Sequence, residues 1–366
     1  AMSYGDNDFD QTMIMLNRSG WDTDCNCGNV GSIMGALLGL EGIDERWITP
    51  INDIVNASSA IGFLNMQTVS DSARFFVRLA YKLKGMEIPE LPSFKLPYET
   101  KGIFCKDGDL ESGNSYLSIH SRQIYRYVYY LAEDLYDARY DPEFSPVFYP
   151  GDDLYLEVQS QEKQDLLLGV LDCENESFCE THSVSGRQSI HLRVPSGNNR
   201  TIHKIFLKAE KDYRILSYRI DRHPELRFDF HSYPIDAYGP RYGGDYMRGF
   251  VAHSGEWKIE DGLIGEAEEH GLISSGAYGS RYKEIVWTFI PEKGRQHQLV
   301  YNMTGYLHYD AIGFSEDRIE VIHNQQEEEV IESFPYSWKQ GNTYTLELRE
   351  GSFLINEQEY RSESIK

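Results

Sequence analysis

Apolar residues recur at helical spacing up to about residue 86 and at alternate positions in short runs beyond it. Phe9, Met13 and Leu16 fall on one side of a helix over residues 9–16, which Gly20 stops. Asp22-Thr23-Asp24 supplies the side-chain oxygens that open a second helix, from about 25 to 40. That helix carries Gly28, Gly31, Ser32, Gly35, Ala36 and Gly39. Each glycine costs a helix about 1 kcal/mol relative to alanine. Small residues three and four apart make a flat stripe, so the pattern predicts another backbone packed closely against it. A third helix follows over about 69–84, with Phe75, Phe76, Leu79 and Tyr81 among its apolar residues. MEIPELPSFKLP, residues 86–97, holds Pro89, Pro92 and Pro97 and reads as a linker.

From Gly102 onward the alternation predicts strands. In Ser121 to Leu131, Tyr125, Tyr127 and Tyr129 alternate with Arg126, Val128 and Tyr130, which predicts that the tyrosines at 125, 127 and 129 face inward. Further runs fall at 153–159, 165–171, 189–194, 204–208 and 213–220. A second set begins near Gly249 and includes 284–290, 298–303, 317–323, 343–348 and 352–355. Trp257, Trp287 and Trp338 are expected to be core, and His182, His191 and His203 to lie on the surface or in loops. The fold class is therefore multidomain α plus all-β. A short N-terminal helical segment, 1–95, precedes two antiparallel β-sandwiches of jelly-roll type, 96–235 and 236–366, which resemble galactose-binding and laminin-G or concanavalin-like modules. The stretch rich in Pro, Gly and Tyr from 231 to 244 joins them.

Charge narrows the function. Lys and Arg number 35 against 58 Asp and Glu, a net charge of −23, which repels phosphate backbones and excludes nucleic acid as a partner. No run approaches the roughly 18 apolar residues that span a bilayer, and the start lacks the basic and apolar regions of a secretory signal. A cytoplasmic location is expected. Five cysteines, an odd number, argue against a disulfide framework. Cys25-x-Cys27 has neither the second pair nor the histidine of a zinc site.

The chemistry concentrates in GWDTDCN, residues 20–26. Two carboxylates at i and i+2, in a loop leading into a helix, can converge on one cation, and hard oxygen ligands favour Mg²⁺, Mn²⁺ or Ca²⁺. The bland alternative is that Asp22 and Asp24 only cap the helix.

Read whole, YGDNDFDQTMIMLNRSGWDTDCNCGNVGSIMGALLG (residues 4–39) resembles the ADP-ribosylglycohydrolase family, whose late motif is Asp-x-Asp-Thr/Ser followed by a Gly-rich helix. Asp22, Thr23 and Asp24 match the motif, Cys25 stands where a hydroxyl residue is usual, and IDERW, residues 43–47, fits the turn that follows. The resemblance covers about residues 3–85. It implies a divalent-metal hydrolase of ribosyl glycosidic bonds, with Asp22, Asp24 and Cys25 at a Mg²⁺ or Mn²⁺ site and an ADP-ribosyl or related sugar as substrate. The family's other ligands lie in an earlier acidic motif. Asp6, Asp8 and Asp10 do not match it, so this chain is expected to carry half a site, inactive alone, with the catalytic acid–base residues unassigned. An apolar helical face left without cover is expected to form a homodimer through residues 10–85 or to dock on the first sandwich. The competing reading is a carbohydrate- or protein-binding β-sandwich protein with a vestigial helical region. Its candidate sugar platform is Tyr238, Tyr242 and Tyr246, for which the alternative is packing at the joint between modules.

Overall fold

The computed structural model describes residues 1–51, 53–57, 65–91, 102–113, 116–134, 144–235, 245–278, 280–315 and 317–366. The α plus all-β organisation is present: among the described residues the α-helices lie in the N-terminal region, and antiparallel sheets dominate after it. No helix among the described residues is long and apolar enough to cross a membrane.

Helix α1 spans Phe9–Arg18 and opens on Asp8, whose carboxylate accepts from the Gln11 amide at 2.8 Å. Helix α2 spans Thr23–Leu38 and ends at Gly39, where φ is +69°. A short helix α3, Glu45–Ile48, is capped by Asp44. It is fastened to α1 through Asp10, which accepts from both the Arg46 guanidinium and the Trp47 indole, while Phe9 meets Trp47 edge-on. The small-residue stripe of α2 is only half covered. Met13 of α1 lies against Gly31 and Ile43 against Gly35, but Gly28 and Gly39 face open space.

Strands β1 (Val55–Asn56) and β2 (Met66–Gln67) pair and lead into helix α4, Val69–Leu83, where the Thr68 hydroxyl accepts from the Asp71 amide at 2.9 Å. This segment anchors the helical region to the β-region. Met66 enters the main β core, and Asn65 donates to the Ser145 carbonyl at 3.2 Å. Beyond that anchor α4 stands clear, and Ser70 is its one buried residue.

The next sheet has eight strands: β3 (Ile103–Cys105), β4 (Leu110–Ser112), β5 (Leu117–Ile119), β6 (Gln123–Tyr127), β7 (Asp153–Asp172), β8 (Ser177–Arg193), β9 (Ile202–Lys208) and β10 (Tyr213–Asp221). Their order is β3-β6-β9-β7-β10-β5-β4, with β8 on the other edge of β7. Strand β7 runs for 20 residues and carries an irregularity between Ser160 and Gln164. Its first half pairs with β10 and its second with β9. Leu154, Leu156 and Val158 before the irregularity, and Leu166, Leu168 and Val170 after it, belong to one core. One bent sheet thus folds over itself, in place of the expected sandwich of two separate sheets. The runs at 153–159 and 165–171 are one strand, because the polar residues between them form the bend that a bulge permits.

Strand β6 reverses the expected facing. Ile124 and Val128 sit in the core, while Tyr125 and Tyr127 are half-buried on the other side with Phe104 and Lys204. Tyr129 lies past the strand in a separate buried cluster. Period two fixes alternation and leaves the choice of face to packing.

Strands β11 (Phe250–Ser254), β12 (Glu256–Ile259), β13 (Leu263–Glu266) and β14 (Leu272–Ser275) form two small pairs, β11 with β14 and β12 with β13, beside a cluster of Tyr233, Met247, Phe250 and Trp257. The last strands are β15 (Glu284–Phe289), β16 (Gln296–Gly305), β17 (His308–Ser315), β18 (Arg318–Gln325), β19 (Glu328–Pro335), β20 (Tyr344–Arg349), β21 (Ser352–Ile355) and β22 (Gln358–Arg361). They make two four-stranded sheets, β15-β20-β21-β22 and β16-β17-β18-β19. Ile312, Phe314 and Ile319 of one and Leu346, Phe353 and Ile355 of the other share a core, as a face-to-face sandwich requires. Trp287 and Trp338 are half-buried against that core.

Candidate metal centre

The turn between α1 and α2 positions the acidic motif. Gly20 takes φ +69° and Asp22 takes φ 44°, ψ 52°, a left-handed conformation that Asp tolerates better than most residues. Asp22 occupies the cap position of α2, and its carbonyl accepts from the Asn26 amide at 3.0 Å. Its carboxylate makes no capping hydrogen bond. Asn26 closes the turn instead, donating to the Trp21 carbonyl at 3.0 Å. The Asp22 side chain therefore does not cap α2.

One ligand atom each from Asp22, Asp24 and Cys25 lies within 4.8 Å of the other two, and all three residues are exposed. This is the only such three-residue cluster of His, Cys, Asp and Glu among the described residues. The charge of Asp22, then that of Asp24, pushes the Cys25 thiol above its ordinary 9.0. At neutral pH it is a protonated thiol beside two carboxylates. That donor set fits a hard cation held by Asp22 and Asp24 and makes Cys25 a poor ligand for it.

The other candidates separate. Tyr246 is 5% exposed, packs with Tyr129, Leu131, Phe144 and Cys173, and accepts from the Phe144 amide at 3.2 Å. It is core, and no sugar platform includes it. Its two predicted companions, Tyr238 and Tyr242, lie outside the described residues. His203 is buried on β9 against Asp134, with Nε2 2.6 Å from Oδ2. Sequence spacing missed this pair because its members are 69 residues apart. Burial favours the neutral form of Asp134, but hydrogen bonds from His203 and the Leu131 amide and the charge of Lys204 outweigh it and hold the carboxyl below its ordinary value. No disulfide joins any of the five cysteines.

Residues 1–73 match the family described as ADP-ribosylglycohydrolase. The match takes in the whole Asp22–Cys25 turn and ends within α4, before the β-region begins. The family is generally dependent on divalent metals. No curated protein matches the chain. Among solved structures, PfGH50B is similar at 13% identity over 31% of this chain and 19% of its own, with a TM-score of 0.19, a likeness too slight to bear on fold or function.

Proposed function

We infer that residues 1–73 contribute part of a divalent-metal site in a hydrolase of the ADP-ribosylglycohydrolase type, acting on ribosyl glycosidic bonds. The observation that carries this reading is the convergence of Asp22 and Asp24 within the segment that matches the family. The metal, Mg²⁺ or Mn²⁺, would supply Lewis-acid chemistry at the ribose and its attacking water. Asp22 and Asp24 would hold it, while Asn26 and the left-handed Asp22 backbone keep both carboxylates on one side of the turn. Cys25 lies beside the two carboxylates as a neighbour.

Two carboxylates are a sparse protein contribution even for Mg²⁺, which keeps several waters. The remaining ligands are supplied by polypeptide other than the described residues, and this chain by itself does not turn over substrate. A second copy, packed against the helical region, covers the exposed side of α4.

Mn²⁺ titration followed by electron paramagnetic resonance tests the site. Binding should be weak and should fall at least tenfold in D22N/D24N. Equal binding by wild type and the double variant would remove the metal site. Release of ADP-ribose from an ADP-ribosylated protein tests the incompleteness separately, and robust metal-dependent turnover by this chain alone would refute it.

A further inference from the structure

The inner face of the bent sheet carries one residue that does not belong in a core. Arg126 lies near the end of β6, between Ile124 and Val128, which are 4% and 2% exposed. Across the sheet it sits directly opposite Ile103 on β3 and Ile205 on β9. Directly opposed residues share a face, so the cross-strand neighbours of Arg126 on this face, Ile103 and Ile205, are apolar. Tyr218 of β10, opposite Leu156, comes from the other half of the sheet to meet it. The Arg126 Nη1 atom donates to the Tyr218 hydroxyl at 3.2 Å, and the guanidinium carbon lies 5.6 Å from the Tyr218 ring centre. Arg126 Nε is buried and makes no hydrogen bond, and no carboxylate among the described residues pairs with this arginine.

Between the two halves is a cavity of about 400 Å³, within the range that holds small ligands. Leu154, Leu156, Leu168 and Leu207 form its apolar wall, and Met66 and Thr68 of the helical anchor close one side. Two other arginines reach it but are committed. Arg222 bonds Asp152 at 3.0 Å and the Val147 carbonyl, and Arg219 pairs with Asp221 at 2.9 Å. Asp71, at the rim, is paired with Arg74 at 3.3 Å. Tyr218 is 45% exposed, so the cavity meets solvent at the same place as its free cation.

We propose that this cavity binds a small monocarboxylate with an apolar body, the carboxylate paired with Arg126 and Tyr218 and the body lying along the leucine wall. A cation in an apolar wall is expensive unless an anion joins it. The Tyr218 hydroxyl accepts from Arg126 and keeps its own proton to donate to a carboxylate oxygen. The site is independent of Asp22 and Asp24 and stands or falls without them.

The test is calorimetric titration of the full chain with decanoate and with decanol, which has the same chain length and no charge. Decanoate should bind saturably at one site, at least tenfold tighter than decanol. Arg126→Met should abolish that preference while leaving the unfolding midpoint unchanged or higher, since the arginine then serves binding and not stability. Tyr218→Phe, which removes only a hydroxyl from a half-exposed ring, should weaken decanoate by several fold and leave decanol unchanged. It decides the matter if Arg126→Met does not fold. Equal affinity for acid and alcohol, or an undiminished preference for the acid in either folded variant, would overturn the proposal.

Discussion

Gly169 shows how much one position can fix. It lies in β7 opposite Cys179 of β8 and Phe206 of β9. A methyl group there would come within 2.5 Å of the Phe206 ring, 2.7 Å of Cys179 Cβ and 2.8 Å of the Phe178 carbonyl. All three atoms belong to strands that flank β7, two on β8 and one on β9, so relief means moving the sheet. Gly169→Ala should cost about 1–3 kcal/mol, read as a lower urea midpoint at unchanged slope; an unchanged midpoint would mean that the neighbours yield freely. Asp134 gives a prediction whose sign depends on pH. Its folded pKa lies below its ordinary 3.8, so the stability it contributes is complete above about pH 4 and fades as pH falls through the folded value. Asp134→Asn should cost about 2 kcal/mol at pH 7, and the gap from wild type should narrow on acidification, as the pH falls through the folded pKa. A gap that widened on acidification would contradict the assignment. The motif residues were legible in the sequence, because Asp22, Asp24 and Cys25 lie within three positions of one another. Asp134 and His203, or Arg126 and Tyr218, meet only after the sheet has folded.

At the scale of elements, the helices were legible because their signals are local. Asp8 and Thr68 cap α1 and α4 as short oxygen-bearing residues should, whereas IDERW, which the family resemblance made a turn, runs into the short helix α3 capped by Asp44. The β7–β8 ribbon was not legible. Its bend is written in polar residues that resemble a loop, and only the pairing of β9 and β10 along one edge of β7 makes the two halves a single strand. A buried charge ties the start of that strand to the end of β10. Asp152 is 0% exposed and accepts from the Tyr149 and His223 amides at 3.0 and 2.9 Å and from Arg222 at 3.0 Å. Arg222→Met removes the cation and leaves the carboxylate in place. A broken buried pair costs about 3–5 kcal/mol, so this variant should unfold at markedly lower urea. Asp152→Asn/Arg222→Met should recover part of the loss, and a double variant worse than the single one would show that the pair is not the source of the effect.

At the scale of the whole molecule, burial is uneven. The bent sheet and the last sandwich each close around a dense core, whereas the helical region buries little beyond Thr12, Met34 and the residues around its anchor. Val69, Phe76 and Leu83 recur every seven residues along α4, with Leu79 and Phe75 beside them, and all five are exposed. Phe76 is 65% and Leu83 79% exposed. A stripe at that period is the seam by which one helix packs on another, and the anchor through Met66 leaves it turned away from the β core. A second copy of the chain meets the requirement with the fewest parts, since two such stripes pair through a twofold axis without any further surface. Sedimentation velocity at micromolar concentration should then report a dimer. Phe76→Glu/Leu83→Glu should give a monomer with the same unfolding midpoint for the β-region, because neither residue touches that core. A wild-type monomer at tens of micromolar, or a double variant that still dimerises, would place the contact elsewhere and leave the cover of α4 to a different polypeptide.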